Sequence, residues 1–230
     1  MKNPTRILLL TALLIMTACG SSSETGSKNT AAPTISGRIE QGLRVLTIDP
    51  AATDQHFRIH RGDYVRPEQT GDAPFTLEIP ALEVSLAIPA PAGQRPYFKV
   101  PKVGVFEFRC GEASGTIEAV ELQSSGYREV TSREAVVYIS ERQPLILDVR
   151  TPGEYAGGHL TNAVLIPVQV LQSRLSELAA DKDRPIFIYC RTGNRSTVAA
   201  KLLMDAGHTE VVNLRRGIVE WQHAGLPVVK

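Results

Sequence analysis

Cysteine, net charge and long hydrophobic runs are all scarce in this sequence. Three cysteines in 230 residues do not build a disulfide framework. The formal net charge is only +1, from 25 Lys and Arg against 24 Asp and Glu, so the chain has no strong field to gather nucleic acid or acidic lipid. We therefore expect no binding to nucleic acid.

The apolar run near the N-terminus, residues 7–16, is too short to remain as a membrane-spanning helix. Such a helix needs about 20 apolar residues to cross the hydrocarbon core. Lys2 and Arg6 precede the run, and the small residues Thr17 and Ala18 follow it. This order is typical of an export signal, and we predict a signal peptide over residues 1–18.

Residues Met16, Thr17, Ala18 and Cys19 resemble the lipobox of bacterial lipoproteins, although Met16 stands where that family usually has Leu. The resemblance implies cleavage before Cys19 and a lipid on that residue. Gly20 follows, rather than the Asp that often retains lipoproteins in the inner membrane. We therefore expect an outer-membrane anchor that faces the periplasm. An ordinary cleaved signal with a nearby cysteine is the alternative.

The chain after the signal has the composition of a tether followed by globular protein. Residues 19–34 are rich in Ser, Thr, Gly, Ala and Asn, which predicts a lipidated flexible tether. Overall, 43% hydrophobic and 21% charged residues are typical of folded domains, and the length fits two small ones. Short β-type runs separated by Gly and Pro lie at 44–48, 57–59, 75–79 and 105–108. They predict an all-β domain over 35–122, an antiparallel sandwich or barrel.

The pattern changes after residues 124–126, where strands begin to alternate with amphipathic helices. Continuous apolar runs lie at 145–147, 164–166 and 185–189. Such runs are typical of strands buried on both faces of a mainly parallel sheet. Helices are predicted at 133–141 with Ser132 as the cap, at 168–178, and from Ser196 to Gly207. Residues 126–230 are therefore predicted to form an α/β domain.

Cys190 follows the predicted strand 185–189 and precedes a short loop and a helix. In that position its sulfur faces free backbone N–H groups and the positive end of the helix dipole, which stabilise a thiolate or a bound anion. Arg191 and Arg195 add positive charge, and Gly193 lets the backbone turn tightly. We reject the alternative of a structural cysteine beside a basic loop, because a lone thiol in an exported protein is a candidate reactive group.

Loop length separates two chemistries that share this geometry. Cysteine phosphatases have a loop one residue longer, whereas four residues, 191–194, separate Cys190 from Arg195. A smaller loop suits a sulfur atom better than a phosphate group.

Three motifs resemble the rhodanese family and occur in that family's order. The first comprises Asp148, Arg150, Pro152, Gly153, Glu154, Tyr155, Gly158, His159 and Pro167. The second is the active-site loop, which comprises Cys190, Arg191, Thr192, Gly193, Asn194, Arg195 and Ser196. The third comprises Gly217, Trp221, Gly225, Leu226, Pro227 and Val228. Arg216 departs from the pattern, since the family commonly has a second Gly there.

The resemblance implies a rhodanese-like domain in which Cys190 is the catalytic residue and residues 191–196 bind the substrate. Asp148 and Arg150 are interpreted as supporting residues that brace the loop. His159 is interpreted as a structural hydrogen-bonding residue, and Trp221 as part of the core or pocket wall.

The β-domain resembles the cupredoxin fold at residues 61–65, 75–80 and 104–111. A copper-binding member has a His near the position of Phe75, and His with Met or further ligands soon after the Cys. Here Pro74 and Phe75 occupy the first place, and no His or Met closely follows Cys110. We therefore expect no copper, since His56 and His60 lie too early to replace the ligands. Cys110 is interpreted as a buried thiol, with a redox or sulfur-relay role as the alternative.

The function implied by these features is sulfur transfer from thiosulfate or a similar donor, through a Cys190 persulfide, to a thiol or cyanide-like acceptor. This chemistry requires no metal or organic cofactor. One alternative is a non-catalytic binding or sensing module whose β-domain contacts a periplasmic protein partner. The other is an electron-transfer protein with an accessory rhodanese domain. The intact loop favours catalysis, and the missing copper ligands count against electron transfer.

Overall fold

The computed structural model describes residues 34–94, 96–180 and 182–230. The predicted signal peptide, the lipidation site Cys19 and the tether up to residue 33 lie outside the described residues. Within the described ranges, no helix is both long enough and apolar enough to cross a membrane.

Residues 38–120, here called the β-region, form two β-sheets. The strands are β1 (Arg38–Glu40), β2 (Leu43–Ile48), β3 (Gln55–His60), β4 (Tyr64–Gln69), β5 (Phe75–Ile79), β6 (Val84–Ile88), β7 (Phe98–Lys99), β8 (Gly104–Cys110) and β9 (Ala113–Val120). One sheet has the order β1-β2-β4-β7 and the other the order β3-β9-β8-β5-β6. A short 3-10 helix, Pro80–Leu82, joins β5 to β6.

Both sheets of the β-region contribute to one core. In β8, every second residue from Phe106 to Cys110 is buried, as expected for a strand with one face toward a core. Leu46 and Val65 of the other sheet pack in the same cluster. This alternation within strands explains why the sequence predicted a β-domain here.

The sheets of the β-region are mixed, so the expectation of antiparallel pairing is wrong in part. β2 pairs with β4 in parallel, and β3 pairs with β9 in parallel. The connectivity explains the first case: the chain leaves β2 for β3 in the opposite sheet and then returns as β4. The resemblance to the cupredoxin fold stays a prediction.

Residues 127–230, here called the α/β-region, contain a five-stranded sheet. The strands are β10 (Tyr127–Val130), β11 (Leu145–Asp148), β12 (Val164–Leu165), β13 (Ile186–Tyr189) and β14 (Val211–Leu214). Their order is β10-β14-β13-β11-β12, and every neighbouring pair is parallel. β13 and β14 are buried along their whole length, because helices cover both faces of such a sheet. The predicted parallel sheet is confirmed.

Five α-helices accompany this sheet in the described part of the chain. They are α1 (Ser132–Arg142), α2 (Pro152–Ala156), α3 (Val168–Leu171), α4 (Asn194–Asp205) and α5 (Gly217–His223). A 3-10 helix, Gln172–Leu178, continues α3. The predicted helix at 168–178 therefore changes type after its first turn. There the Ser173 hydroxyl donates to the Val170 carbonyl oxygen at 2.9 Å, a local bond that competes with the α-helical pattern.

Two predicted helix starts are wrong, one by one residue and the other by two. Thr131, not Ser132, caps α1, because Thr131 and Glu134 form a reciprocal capping box. α4 begins at Asn194 rather than Ser196. The left-handed backbone at Gly193 lets the chain enter this helix directly from the loop.

The β-region and the α/β-region pack against each other within one compact unit. Gly42 lies where a Cβ atom would be 3.0 Å from the carbonyl oxygen of Val168. Gly62 lies where a Cβ atom would be 3.1 Å from the Cα atom of Asn194. The β-region therefore contacts the loop that follows Cys190.

Candidate active site

Cys190 lies at the carboxyl end of β13, the central strand of the parallel sheet. The residue is 1% exposed. In open parallel sheets, ligands bind outside the carboxyl ends of the strands. The position of Cys190 is therefore that of a ligand site, although its side chain is almost completely covered.

Two donors of its own loop lie within hydrogen-bond distance of the Cys190 sulfur. The backbone N–H of Gly193 donates at 3.1 Å, and the Ser196 hydroxyl, whose single proton is shared with the nearer Gly193 carbonyl oxygen, lies 3.6 Å from the sulfur. The backbone N–H groups of Asn194, Arg195 and Ser196, in the first turn of α4, have no acceptor among the described residues. These groups and the positive end of the helix dipole are suited to hold an anion beside the sulfur.

The first turn of α5 binds the carbonyl groups of the same loop. The Ile218 N–H donates to the Cys190 carbonyl oxygen at 2.9 Å, and the Val219 N–H donates to that of Arg191 at 3.2 Å. Gly217, with a φ of +62°, lies where a Cβ atom would be 2.3 Å from the Cys190 carbonyl oxygen. Only glycine fits there without a shift of the backbone. Because these carbonyls are occupied, the N–H groups of the loop remain for the sulfur, a role of α5 that sequence reasoning missed.

Gly193 connects the loop to α4 with a φ of +92°. A Cβ atom there would lie 3.1 Å from the backbone nitrogen of Arg216. The Gly193 carbonyl accepts hydrogen bonds from the hydroxyls of Ser196, at 3.0 Å, and Thr197, at 2.9 Å. Ser196 therefore contacts both the sulfur of Cys190 and the backbone that positions it.

Arg195 forms a bidentate ion pair with Glu154, and both N–O distances are 2.7 Å. The hydrogen bonds from Arg195 lower the pKa of Glu154 to about 2. The same bonds raise the pKa of Arg195. Glu154 also completes the capping box of α2 with Thr151. The rim charge expected from Arg195 is thus offset by a carboxylate that sequence reasoning did not assign to the site.

Arg191 and Thr192 are exposed at the start of the loop. The Asn194 side-chain amide lies 3.5 Å from the Thr192 hydroxyl. Arg191 forms no ion pair with any described carboxylate. Its charge is therefore available to an incoming anion.

Asp148 and Arg150 form a buried ion pair at the end of β11, with an Nη2–Oδ2 distance of 2.5 Å. Arg150 also donates to the Gly158 carbonyl oxygen at 2.8 Å. Its guanidinium lies 5.4 Å from the ring centroid of Tyr189. Since Tyr189 directly precedes Cys190, the pair supports the strand end behind the Cys190 sulfur.

His159 and Trp221 have the structural contacts expected of them. The His159 Nδ1 atom lies 3.1 Å from the Tyr155 carbonyl oxygen, and the His159 ring stacks on Tyr155 with the centroids 3.7 Å apart. Trp221 is 7% exposed, and its indole N–H donates to the Pro227 carbonyl oxygen at 2.9 Å. Arg216 is exposed and adopts a φ of +59°, a backbone conformation that glycine adopts more easily.

A cavity of about 470 Å³ lies between the two regions beside the loop. Gln41, Tyr64 and Tyr97 of the β-region and Gln169, Arg191 and Arg195 of the α/β-region are among the residues that line it. Sequence reasoning missed the β-region residues of this site, because no local pattern shows which surfaces two distant segments bring together.

Cys110 lies in the core of the β-region at 0% exposure, and burial raises its pKa. His56 is exposed and lies 2.8 Å from the hydroxyl of Thr116. His60 is buried, and burial is the main reason that its pKa falls to about 4. Among the residues that the structure describes, no cluster of three or more His, Cys, Asp and Glu side chains could hold a metal ion.

Comparison with known proteins identifies the α/β-region. Residues 132–224 match the family model described as a rhodanese-like domain. A protein of Allochromatium vinosum named sulfurtransferase is 45% identical over 85 residues, which are 37% of this chain and 78% of that protein. The uncharacterized protein YqhL of Bacillus subtilis is 40% identical over 80 residues, which are 35% of this chain and 62% of YqhL, less than two thirds of its length.

Among solved structures, a rhodanese-related protein from Thermoplasma volcanium is 30% identical. The match covers 45% of this chain and 98% of that one, with a TM-score of 0.41. The matched domain and the relative from Allochromatium vinosum confirm the resemblance seen in the sequence motifs: this chain belongs to the rhodanese-like family, whose domain it carries at residues 132–224.

Proposed function

We propose that this protein is a sulfurtransferase that carries sulfane sulfur on Cys190 as a persulfide. The observation that carries the proposal is the Gly193 N–H group at 3.1 Å from the Cys190 sulfur, beside the unpaired first-turn N–H groups of α4. A persulfide ends in an anionic sulfur atom, and preorganised N–H donors stabilise charge at such a position. Membership of the rhodanese-like family supports this class of activity.

In the first half of the proposed reaction, the Cys190 thiolate attacks the outer sulfur of thiosulfate or a similar sulfane donor. A bond forms between the two sulfur atoms, the S–S bond of the donor breaks, and sulfite leaves with the bonding electron pair. The negative charge is then on the terminal sulfur of the persulfide. Arg191, which has no carboxylate partner in the described chain, attracts the donor anion to the loop.

In the second half, a thiolate or cyanide attacks the terminal sulfur. The S–S bond to Cys190 breaks, the thiolate of Cys190 is restored, and the product is an acceptor persulfide or thiocyanate. Over the full cycle the Cys190 thiolate is regenerated with no net oxidation or reduction of the protein. The proposed reaction therefore needs no cofactor. The four residues between Cys190 and Arg195 support transfer of a sulfur atom over hydrolysis of a phosphate ester.

Intact mass spectrometry of the soluble portion treated with thiosulfate tests the proposal. We expect a mass increase of one sulfur atom, its removal by cyanide with formation of thiocyanate, and neither step in Cys190→Ser. A protein that loads sulfur but passes it to no acceptor would support the sensing module instead. Efficient hydrolysis of phosphate esters without uptake from any sulfane donor would contradict the proposed chemistry.

We also propose that a lipid on Cys19 anchors the protein in the outer membrane, facing the periplasm. The basic start, the short apolar run and the small residues before Cys19 support this proposal. Cys19→Ser should leave the protein unprocessed or release it from membranes. A processed Cys19→Ser protein that stays with the membrane fraction would contradict it. Docking of a periplasmic protein by the β-region is a further proposal that rests on the sequence pattern alone.

A further inference from the structure

The cavity beside the loop has one wall from the β-region. β4 and β7 form an antiparallel pair in which Val65 lies opposite Phe98 and Tyr64 lies opposite Lys99. Val65 and Phe98 are 0% and 7% exposed and belong to the β-region core. Because successive side chains of a strand point to opposite faces, Tyr64 and Lys99 project away from that core. Tyr64 lines the cavity, and Lys99 lies on the same face of this strand pair.

The Lys99 ammonium is placed to meet an anion. Lys99 is only partly exposed and forms no ion pair with any described carboxylate. Burial lowers its pKa, the charge of Cys190 raises it, and Arg195 lowers it. Burial also raises the pKa of Tyr64, while the charge of Arg195 lowers it and that of Cys190 raises it. Both β-region residues are half-buried and lie on the strand-pair face that borders the cavity through Tyr64.

Few other cations at this site are available to a ligand. Arg195 is engaged by both carboxylate oxygens of Glu154. Among the described residues near the loop, that leaves Arg191, which lines the cavity, and Lys99, which shares a strand-pair face with Tyr64.

The size and lining of the cavity indicate a ligand larger than an inorganic anion. A volume of about 470 Å³ lies within the range of pockets that hold organic ligands, which is about 300–1,000 Å³. The rings of Tyr64 and Tyr97 meet edge to face with centroids 5.8 Å apart. They offer apolar surface that a purely inorganic donor would not use.

We infer that the β-region completes the sulfur-transfer site, and that Lys99 and Tyr64 select small organic persulfides that bear a carboxylate. The inference rests on the proposed function of Cys190. Lys99 binds the carboxylate, the tyrosines cover the organic part, and the sulfane sulfur reaches Cys190. The Cys190 thiolate then bonds to the terminal sulfur of the persulfide, the donor S–S bond breaks, and the organic thiolate leaves with the electron pair.

The test measures the rate of sulfur loading of Cys190 by intact mass spectrometry against donor concentration. The donors are thiosulfate, glutathione persulfide and the diethyl ester of glutathione persulfide, which lacks the carboxylates. The variants are Lys99→Met and Lys99→Arg. The matched control is Lys102→Met, which removes the exposed charge of a lysine three residues further along the chain.

For glutathione persulfide, Lys99→Met should raise the half-saturating concentration about tenfold or more, the usual size of a charge-assisted hydrogen bond. Lys99→Arg should restore most of the affinity. The diethyl ester should bind weakly to the wild type and should not respond to Lys99→Met. Equal behaviour of Lys99→Met and Lys102→Met, or an ester that binds as well as the acid, would overturn the inference while leaving the Cys190 chemistry intact.

A second variant tests the cavity as the route of an organic donor. Gln169 is exposed and lines the cavity, so Gln169→Trp fills space without disturbing a core. Loading by glutathione persulfide should fall at least fivefold more than loading by thiosulfate. A Gln169→Trp protein in which loading by the two donors falls equally, or falls for neither, would contradict the assignment of the cavity to an organic donor. Failure of every donor to load the wild type would instead remove the proposed function, and the inference with it.

Discussion

Each region of the molecule ends a central strand with a buried cysteine, but only one of the two cysteines is followed by a helix. Cys110 ends β8, and the chain turns directly back into β9, so that Cys110 lies opposite Ala113. Cys190 directly follows the last residue of β13, and the chain passes through the loop into α4. Both residues are at most 1% exposed. Burial therefore does not distinguish them.

The element after the strand makes the difference. A hairpin uses its N–H groups in the ladder between its strands, whereas a helix leaves the N–H groups of its first turn without intrahelical partners. Burial raises the pKa of the Cys110 thiol, whereas N–H and hydroxyl groups point at the sulfur of Cys190. A strand-end cysteine thus becomes a candidate nucleophile when the next element of the chain is a helix rather than a strand.

The two cysteines should differ most clearly when each is replaced by alanine. Cys190→Ala removes the nucleophile, so sulfur uptake should fall at least about a thousandfold. Cys110→Ala should keep uptake within about twofold and lower the free energy of unfolding by about 1 kcal/mol. Mass spectrometry and denaturant unfolding measure the two effects. Loss of transfer in a folded Cys110→Ala protein would instead support the sulfur relay between the two thiols.

Displacement of the loop should have the next largest effect. Gly217→Ala places a Cβ atom against the Cys190 carbonyl oxygen, and such a shift should slow sulfur loading by about a hundredfold. Gly225→Ala is the matched control, since Gly225 also has a positive φ, of +71°, but has nothing within 4 Å of an added Cβ atom. If both variants slow loading equally, the contact between α5 and the loop does not position the sulfur.

Removal of the arginine at the end of the loop should have a moderate effect. Arg195→Ala leaves the nucleophile in place but removes a positive charge and frees the Glu154 carboxylate, so loading should fall about tenfold without disappearing. Arg174→Ala is the control, because Arg174 forms a similar two-bond pair with Glu177 on an exposed surface. Unchanged loading in Arg195→Ala would show that this ion pair has no electrostatic effect on the reaction at Cys190.

The smallest expected effect is on stability in acid. The folded-state pKa of Glu154 is lowered from 4.5 to about 2, so its contribution is fully present above pH 4.5 and is lost as the pH falls toward 2. Glu154→Gln should therefore be less stable than the wild type by about 1 to 2 kcal/mol at neutral pH. The difference should shrink as the pH falls toward 2, as followed by denaturant unfolding. A difference that stays constant with pH would contradict this account.

The site could be predicted from sequence to the extent that its parts are consecutive. The strand, loop and helix around Cys190 lie within one short stretch, and continuous apolar runs distinguished the buried parallel sheet. The pairing of Arg195 with Glu154 could not be predicted, because the two residues come from separate elements. Lys99 and Tyr64 were missed for the same reason.

The fold of the β-region shows a second limit. Alternation along a strand shows which face is buried, but it does not encode the direction of the neighbouring strand. The parallel pairs of β2 with β4 and of β3 with β9 depend on how the chain crosses between sheets. That path is decided by packing over the whole region rather than by any local pattern.

The hydrogen bonds from α5 to the loop can form only after α5 has been synthesised. The ribosome adds about 5–20 residues per second, so the Cys190 thiol is made a few seconds before Ile218 and Val219, whose N–H groups hold the loop carbonyls. Until then, the nascent chain carries the cysteine without its completed site. A chain truncated before residue 217 would keep the thiol but lack the helix that shapes the loop around it.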